Sequence, residues 1–473
     1  MARSMLRHDL RSNIAMLLFG SAGRKIRKSR GRMIRKTLAT MTGRNLIVMA
    51  IVLIVVPGCQ AIESEKVYAF RGVPDGSQPD GGLVSDGAGN FYGTTSGGGL
   101  SVCGESAPFC GTVFKVALGP DGSWTESVIY KFKGGTDGAA PSGTLIFDAA
   151  GNLYGTTVTG GNDDCEEGCG TVFKLSPNKR GTWTETIIYR FLGGTDAEQP
   201  GLGVVIDTAG NLYGAAGGGC IEECNGTVFK LTPNHGDTWT ESLIYTFMGG
   251  TDGGFPSALV LDGAGNLYGT TISGGITQSP CGGCGTVFEL SPSANGSWEK
   301  NILYSFNDGL DGGFPSSGVA FDSAGNLFGE TYDGGSFACP ESGCGTVYKL
   351  TPKSGGWKFS VAHTFNGPDG SKGSQPSGGL AFDGDGNLYG TTGGGGDAAC
   401  DNGNGCGTIF KLSPKNKSGF TFSMLDTFNG PSGANPAEGV IVDAAGNLYG
   451  TTFAGGTGNC TLTGCGVVFA ITP

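Results

Sequence analysis

The chain has 473 residues, with 92 glycines and 21 prolines. That approaches low-complexity composition, yet aromatic and β-branched residues return on a fixed schedule, which disordered tracts do not show. Residues 1–59 carry twelve Lys/Arg and one acid, Asp9, whereas residues 60–473 hold 18 basic and 40 acidic residues, a net of −22; such a body repels phosphate backbones, which excludes nucleic acid as a partner.

The basic head, residues 1–59, reads as an export signal. Its apolar core, Leu46 to Val56, is eleven residues long, too short for a membrane-spanning helix and right for a signal-peptide core. The core runs into VPGC, residues 56–59. This resembles a bacterial lipobox, which implies that Cys59 is lipidated and becomes the mature N-terminus. Pro57 departs from the small or hydroxylated residue usual there, and ordinary cleavage with Cys59 as a bystander is the competing reading. Met33 and Met41 are alternative starts for the long basic segment.

From residue 60 onward the sequence is a tandem array. DAAGNLYGTT stands at 148–157 and again at 443–452, with near-copies starting at 86, 207, 262, 322 and 383. Their asparagines, Asn90, Asn152, Asn211, Asn266, Asn326, Asn387 and Asn447, are 55 to 62 residues apart. Spacing of this kind marks a repeat architecture. In the second copy PSGTLIFD, LYGTTVT, GTVFKLSP and TWTETIIYRF read as four strands, joined by turn-rich segments. DAAGN between the first two fits a tight hairpin, with Asp148 accepting a backbone bond and Gly151 in the left-handed region. Seven copies of four antiparallel strands predict an all-β fold, a seven-bladed β-propeller. The last copy ends at GVVFAITP with no fourth strand, while KVYAF, residues 66–70, matches IIYRF with no copy before it. The N-terminal strand is therefore expected to complete the last blade. An open solenoid would need polar end caps, which the sequence lacks.

Fourteen cysteines follow Cys59 as seven local pairs: Cys103/Cys110, Cys165/Cys169, Cys220/Cys224, Cys281/Cys284, Cys339/Cys344, Cys400/Cys406 and Cys460/Cys465. Zinc sites reuse one spacing and need four ligands, whereas these spacings vary from three to seven residues. Behind an export signal, seven intra-loop disulfides are expected. Each closes a small loop, so its predicted role is to stiffen that loop more than to hold the fold.

The pattern DxxGNLYGTTxxGG…GTVFKL resembles the GloVer tandem repeat of exported bacterial proteins, over residues 66–473. The resemblance implies a repeat domain displayed outside the cytoplasm under various surface anchors, and no particular activity. The DxxGN-aromatic turn alone is similar to NHL-type propellers. TPNHGDTW, 232–239, resembles a degenerate Asp-box, which implies a turn and not catalysis.

In such a propeller the cysteine loops and the FxGGTDGxxP crossovers emerge on one face, and the loops vary most between copies, as recognition loops do. The crossovers carry Asp75, Asp137, Asp196, Asp252, Asp311 and Asp369, with Ser432 or Asn435 in the seventh. Carboxylates in a ring suit calcium or a polyhydroxylated ligand; the other reading is that each caps its own turn before a proline. Asp383 and Asp385 in DGDGN hint at a calcium loop but lack a downstream glutamate. Trp124, Trp183, Trp239, Trp298 and Trp357 open the fourth strand, in phase for packing, though sugar stacking is the alternative. His363 and Asp426 replace a tyrosine that four copies share. No HExxH, nucleophile elbow or phosphate loop occurs, and the inner strands read as apolar. The expectation is a monomeric, exported and lipid-anchored binding or display module for a carbohydrate or surface polymer, ahead of a protein partner. It needs no cofactor unless calcium serves the crossovers. The rival is an extracellular hydrolase, lyase or lactonase acting on glycans.

Overall fold

The computed structural model describes residues 63–473 except short stretches at 104–109, 163–164, 166, 219–224, 237, 280, 337–338, 340–342, 368–372, 398–399, 401–403, 416–417, 437, 459 and 461–463. The basic head, the apolar stretch 46–56 and Cys59 lie outside the described residues, as do Cys220, Cys224 and Asp369.

Seven antiparallel sheets follow one another along the chain. In blade 2 the inner strand is Ala139–Phe147, the second Leu153–Thr159, the third Thr171–Pro177 and the outer Trp183–Arg190. The third strand is buried on both faces, through Val172, Phe173 and Leu175, so it reads as a near-continuous apolar run. The Phe173 ring needs the space beside Gly155, where a Cβ would come within 2.6 Å of it; that explains the glycine in every LYGTT. The outer strand bulges between Ile187 and Tyr189, and the same irregularity recurs in the other blades, for example between Lys66 and Tyr68.

Aromatic rings join the blades. The phenylalanine ending each outer strand packs edge-to-face on the third-strand aromatic of the next blade, in pairs such as Phe132–Phe173 at 5.1 Å and Phe306–Tyr348 at 5.2 Å. The tryptophan opening an outer strand packs across the preceding blade's tyrosine, as Trp183 does on Tyr92 and Trp298 on Tyr213, both at 5.9 Å. These tryptophans therefore serve packing between blades.

The ring closes as the sequence predicts. Glu63–Ala69 pairs antiparallel with Val467–Thr472 and becomes the outer strand of blade 7. Phe70, fully buried, lies 5.0 Å from Phe114 of blade 1, so the seam repeats the contact found at every other joint.

Buried threonines pair across the second and third strands, at 2.8 Å for Thr95–Thr112, Thr157–Thr171, Thr271–Thr286 and Thr392–Thr408. Blade 3 has Ala216 in place of the first partner, and Thr227 Oγ1 is buried without a hydrogen bond. Ala216→Thr should restore the pair and stabilise the protein by about 1 kcal/mol. Calorimetry on the single variant checks this, and a lowered Tm would refute the account.

Candidate functional site

The repeated turn is built around one carboxylate. Asp148 Oδ1 accepts from the Ala150 and Asn152 backbone N–H groups at 2.9 Å each, while Oδ2 accepts from Asn152 Nδ2 at 2.7 Å and the Tyr154 hydroxyl at 3.0 Å. Gly151 has φ 82°. Asp, Gly, Asn and Tyr of the motif thus form one hydrogen-bonded unit, which explains why the segment recurs almost unchanged. Burial pushes the Asp148 carboxyl up, but the bonds from Asn152, Tyr154 and the backbone outweigh it and leave the group below its ordinary range. Asp383 makes the same contacts with Asn387 and Tyr389, and Asp385 is exposed, its N–H donating to Asp383 Oδ1 at 3.0 Å.

On the opposite face stand the crossovers and cysteine loops. The crossover aspartates pair with tyrosines seven residues earlier. Tyr130 donates to Asp137 at 2.6 Å, Tyr189 to Asp196 at 3.0 Å, Tyr245 to Asp252 at 2.6 Å, Tyr304 to Asp311 at 3.0 Å, and Tyr68 to Asp75. Each aspartate also accepts a backbone N–H four residues before it, such as Lys133 N to Asp137 at 2.8 Å and Met248 N to Asp252 at 2.8 Å. Their oxygens are engaged in closing their own turns. No group of three or more His, Cys, Asp or Glu placed to hold a metal occurs among the described residues.

Against each Tyr–Asp pair lies a residue of the next outer strand. In blades 1 to 3 it is Glu126, Glu185 or Glu241, each with a buried, unbonded Oε1. Burial, then the neighbouring crossover aspartate, pushes these carboxyls up to about 7. In blade 4 the place belongs to Lys300, whose Nζ is 2.8 Å from Asp252 Oδ1. In blades 5 and 6 it belongs to Phe359 and Phe422, stacked on Tyr304 at 3.9 Å and on His363 at 4.2 Å. His363 is thus a stacking partner, while Asp426 accepts the Thr427 N–H at 2.8 Å.

Six of the cysteine pairs are bonded among the described residues: Cys103–Cys110, Cys165–Cys169, Cys281–Cys284, Cys339–Cys344, Cys400–Cys406 and Cys460–Cys465, with Cα separations from 4.8 to 5.7 Å. Each bond closes its own loop, and the second cysteine also stands where two blades meet. Its carbonyl accepts the N–H of the residue before proline in the next blade. Cys110 serves Ala140 at 3.1 Å, Cys169 serves Gln199 at 2.9 Å, Cys284 serves Phe314 at 2.7 Å, Cys344 serves Gln375 at 2.9 Å and Cys465 serves Gln78 at 2.9 Å. Cys406 behaves as these do. Its carbonyl accepts the Asn435 N–H at 2.9 Å, and its side chain is fully buried in the apolar cluster that holds Phe428 and Phe469. The blade 4 joint makes the same bond from a residue that is not a cysteine, the Phe255 N–H donating to the Asn225 carbonyl at 2.6 Å, so the backbone carbonyl and not the disulfide forms the interblade contact. At these joints stand seven residues with φ between 50° and 58°: Gln78, Ala140, Gln199, Phe255, Phe314, Gln375 and Asn435.

Around the axis, residues of all seven blades line a channel of about 230 Å³, among them Leu83, Thr144, Leu202, Val260, Ser317 and Glu438. Glu438 belongs to this lining, and two further acids stand near it, Glu330 bonded to the lining residue Gly379 and Asp80 acting on Glu438. Glu330, from the second strand of blade 5, is buried; its Oε2 accepts from Gly379 N at 2.9 Å and its Oε1 is unbonded. Glu438 and Asp80 stand at the starts of their inner strands, and Ser142 donates to Asp80 Oδ2 at 3.2 Å. Burial pushes Glu330 up to about 8, burial and then Asp80 push Glu438 up to about 8, and burial raises Asp80. The signal for Glu330 was visible as GET among the GTT copies. Glu438 had none, because its place depends on how the inner strands converge.

These features define a closed seven-bladed β-propeller with disulfide-anchored loops on one face and hydrogen-bonded structural turns on the other. A model of the Gloeobacter/Verrucomicrobia repeat matches residues 60–279, 164–371 and 340–473, and the chain belongs to that repeat family. No curated protein matches the sequence. Among solved structures it is similar to PorZ, an essential bacterial surface component of the type-IX secretion system of Porphyromonas gingivalis, at 12% identity and TM-score 0.46, over 85% of this chain and 47% of PorZ. It is also similar to hydrazine synthase of Kuenenia stuttgartiensis, at 14% identity and TM-score 0.49, over 80% and 94% of the two chains. A gluconolactonase of Xanthomonas campestris matches at 12% identity and TM-score 0.35, over 69% and 91%. The chain spans about half the length of PorZ, and these likenesses are of fold alone.

Proposed function

We propose that the protein is an exported binding module, held at the cell envelope through lipid on Cys59, that presents its loop face to a carbohydrate or surface polymer. The observation that carries this reading is the division between the two faces. The turn face repeats one hydrogen-bonded unit, whereas the loop face holds differing side chains on a backbone fixed by disulfides and interblade bonds. Variation on a rigid frame is the arrangement of a recognition surface.

Glycan-array binding of the purified exported protein, with calcium and then with chelator, tests the reading. Saturable binding supports it, and loss on chelation assigns calcium a part; a blank array removes the carbohydrate reading. Retention in the membrane fraction after Cys59→Ala would remove the lipid anchor. A second reading, a glycan hydrolase or lyase, has one observation in its favour: Glu438 in the channel lining, pushed up to about 8 by burial and by Asp80, as suits a proton donor near neutral pH. Release of reducing ends, lost in Glu438→Gln, is what that reading requires.

A further inference from the structure

Left-handed backbone is assigned almost wholly to glycine in this chain. Among the described residues only eight non-glycine positions have positive φ: Asp308 and the seven residues that precede the crossover prolines. The backbone itself explains the conformation, since each of these N–H groups reaches the preceding blade's loop carbonyl. It does not explain the side chains. Glycine is the least strained residue at such φ, and a bulky side chain there is an outlier. A sequence with 92 glycines nevertheless places glycine at none of the seven. Six of the seven carry a side chain larger than a methyl group, Ala140 being the exception.

Their chemistry is uneven around the ring. Blades 4 and 5 present Phe255 and Phe314. Phe255 lies between the paired residues Gly254–Ser273 and Pro256–Thr271, which sets it opposite Ile272. Phe314 stands opposite Tyr332, whose N–H donates to the Phe314 carbonyl at 3.2 Å. Phe255, Ile272 and Tyr332 are 44, 38 and 37% exposed, an apolar platform of neighbouring blades that the protein leaves to solvent. The adjoining blades, 3 and 6, offer the amides Gln199 and Gln375 at the same position, with Gly217 and Gly393 opposite them. No lysine or arginine occupies the ring, and Glu198, Asp308 and Asp333 lie on its flanks.

We infer that this ring is the binding site for a neutral polysaccharide segment, an assignment that rests on the loop face being the recognition face. Pyranose C–H faces would lie on Phe255, Phe314 and Tyr332, and hydroxyls would bond the amides of Gln199 and Gln375. Rigid aromatics with few, placed polar groups are what orient such a ligand. The flanking carboxylates disfavour an acidic polymer.

Affinity electrophoresis of the purified exported protein, in gels containing dextran, β-glucan, xyloglucan, galactomannan or the acidic polymer alginate, tests this. Retardation by at least one neutral glycan is expected. The double variant Phe255→Gly/Phe314→Gly should weaken it about tenfold or more, with a Tm unchanged or raised because glycine relieves the backbone. Wild-type affinity joined to a lowered Tm would make the ring structural and overturn the inference. Binding to alginate alone, or binding lost with Val102→Ser in the blade 1 loop but not with the double variant, would overturn it while leaving the loop face as the recognition face. Binding to no glycan would overturn both readings.

Discussion

A chain that begins after Phe70 will not fold into a stable monomer. Glu63–Ala69 supplies the whole outer strand of blade 7, in register from Glu63 against Thr472 to Ala69 against Val467. Its loss bares the edge of Val467–Thr472, a strand whose Val467, Val468, Phe469 and Ile471 are all buried. An apolar, unpaired edge pairs with other copies. Phe70 goes with it, and loss of one buried phenylalanine alone costs about 3–5 kcal/mol. The expected result is loss of the cooperative thermal transition and appearance of soluble oligomers in light scattering. A synthetic peptide of residues 60–72 added during refolding should restore the monomer. A truncated chain that stays monomeric, with the wild-type Tm, would show that the ring closes by other means.

The same seam shows why closure was legible in the sequence. Strand order and ring closure follow from local patterns: the spacing of the DxxGN turns, the alternation in the third strand, the missing last strand and its spare copy at Lys66–Phe70. The crossover aspartates were legible as turn formers for the same reason, since their partners Tyr130, Tyr189, Tyr245 and Tyr304 lie seven residues away.

What escaped the sequence depends on contacts between blades. Glu126, Glu185 and Glu241 look like surface residues on alternating strands, and only the ring brings them against the crossover residues Asp75, Asp137 and Asp196. Glu438 gains its setting from convergence of seven inner strands. The conformation of Gln78, Phe255 and their counterparts comes from a loop carbonyl of the preceding blade, such as that of Cys284 for Phe314 or Cys406 for Asn435. The residue before proline ordinarily favours extended backbone, so local reasoning points the wrong way there. Cysteine spacing likewise revealed the bonds but not the interblade hydrogen bond beside them, because the residue that donates to the Cys406 or Cys344 carbonyl lies in the following blade.

These interblade acids make stability depend on pH in a direction opposite to that of most proteins. Glu126, Glu185 and Glu241 titrate near 7 in the folded state, and Glu330 and Glu438 near 8, against an ordinary value of 4.5 in the unfolded chain. Between pH 4.5 and about 8 the folded state therefore holds protons that the unfolded state has released, and stability falls as pH rises. The turn aspartates act in the other direction at lower pH. Asp86, Asp148, Asp207, Asp262, Asp383 and Asp443 lie below their ordinary range when folded, so stability also falls as acid protonates them. A maximum near pH 5 is expected. Each pKa unit corresponds to about 1.4 kcal/mol, and solvent screening reduces the share of the half-exposed glutamates, so Glu330, which is buried, dominates. From pH 5 to 9 the Tm should drop by roughly 5–10 °C, measured at constant ionic strength with disulfides intact. Glu330→Gln keeps the shape, removes the charge and should flatten the alkaline limb. A Tm that is constant or rising between pH 5 and 9 would mean that the glutamates are ionised throughout, each then needing a cation beside it, as Lys300 supplies to Asp252 in blade 4.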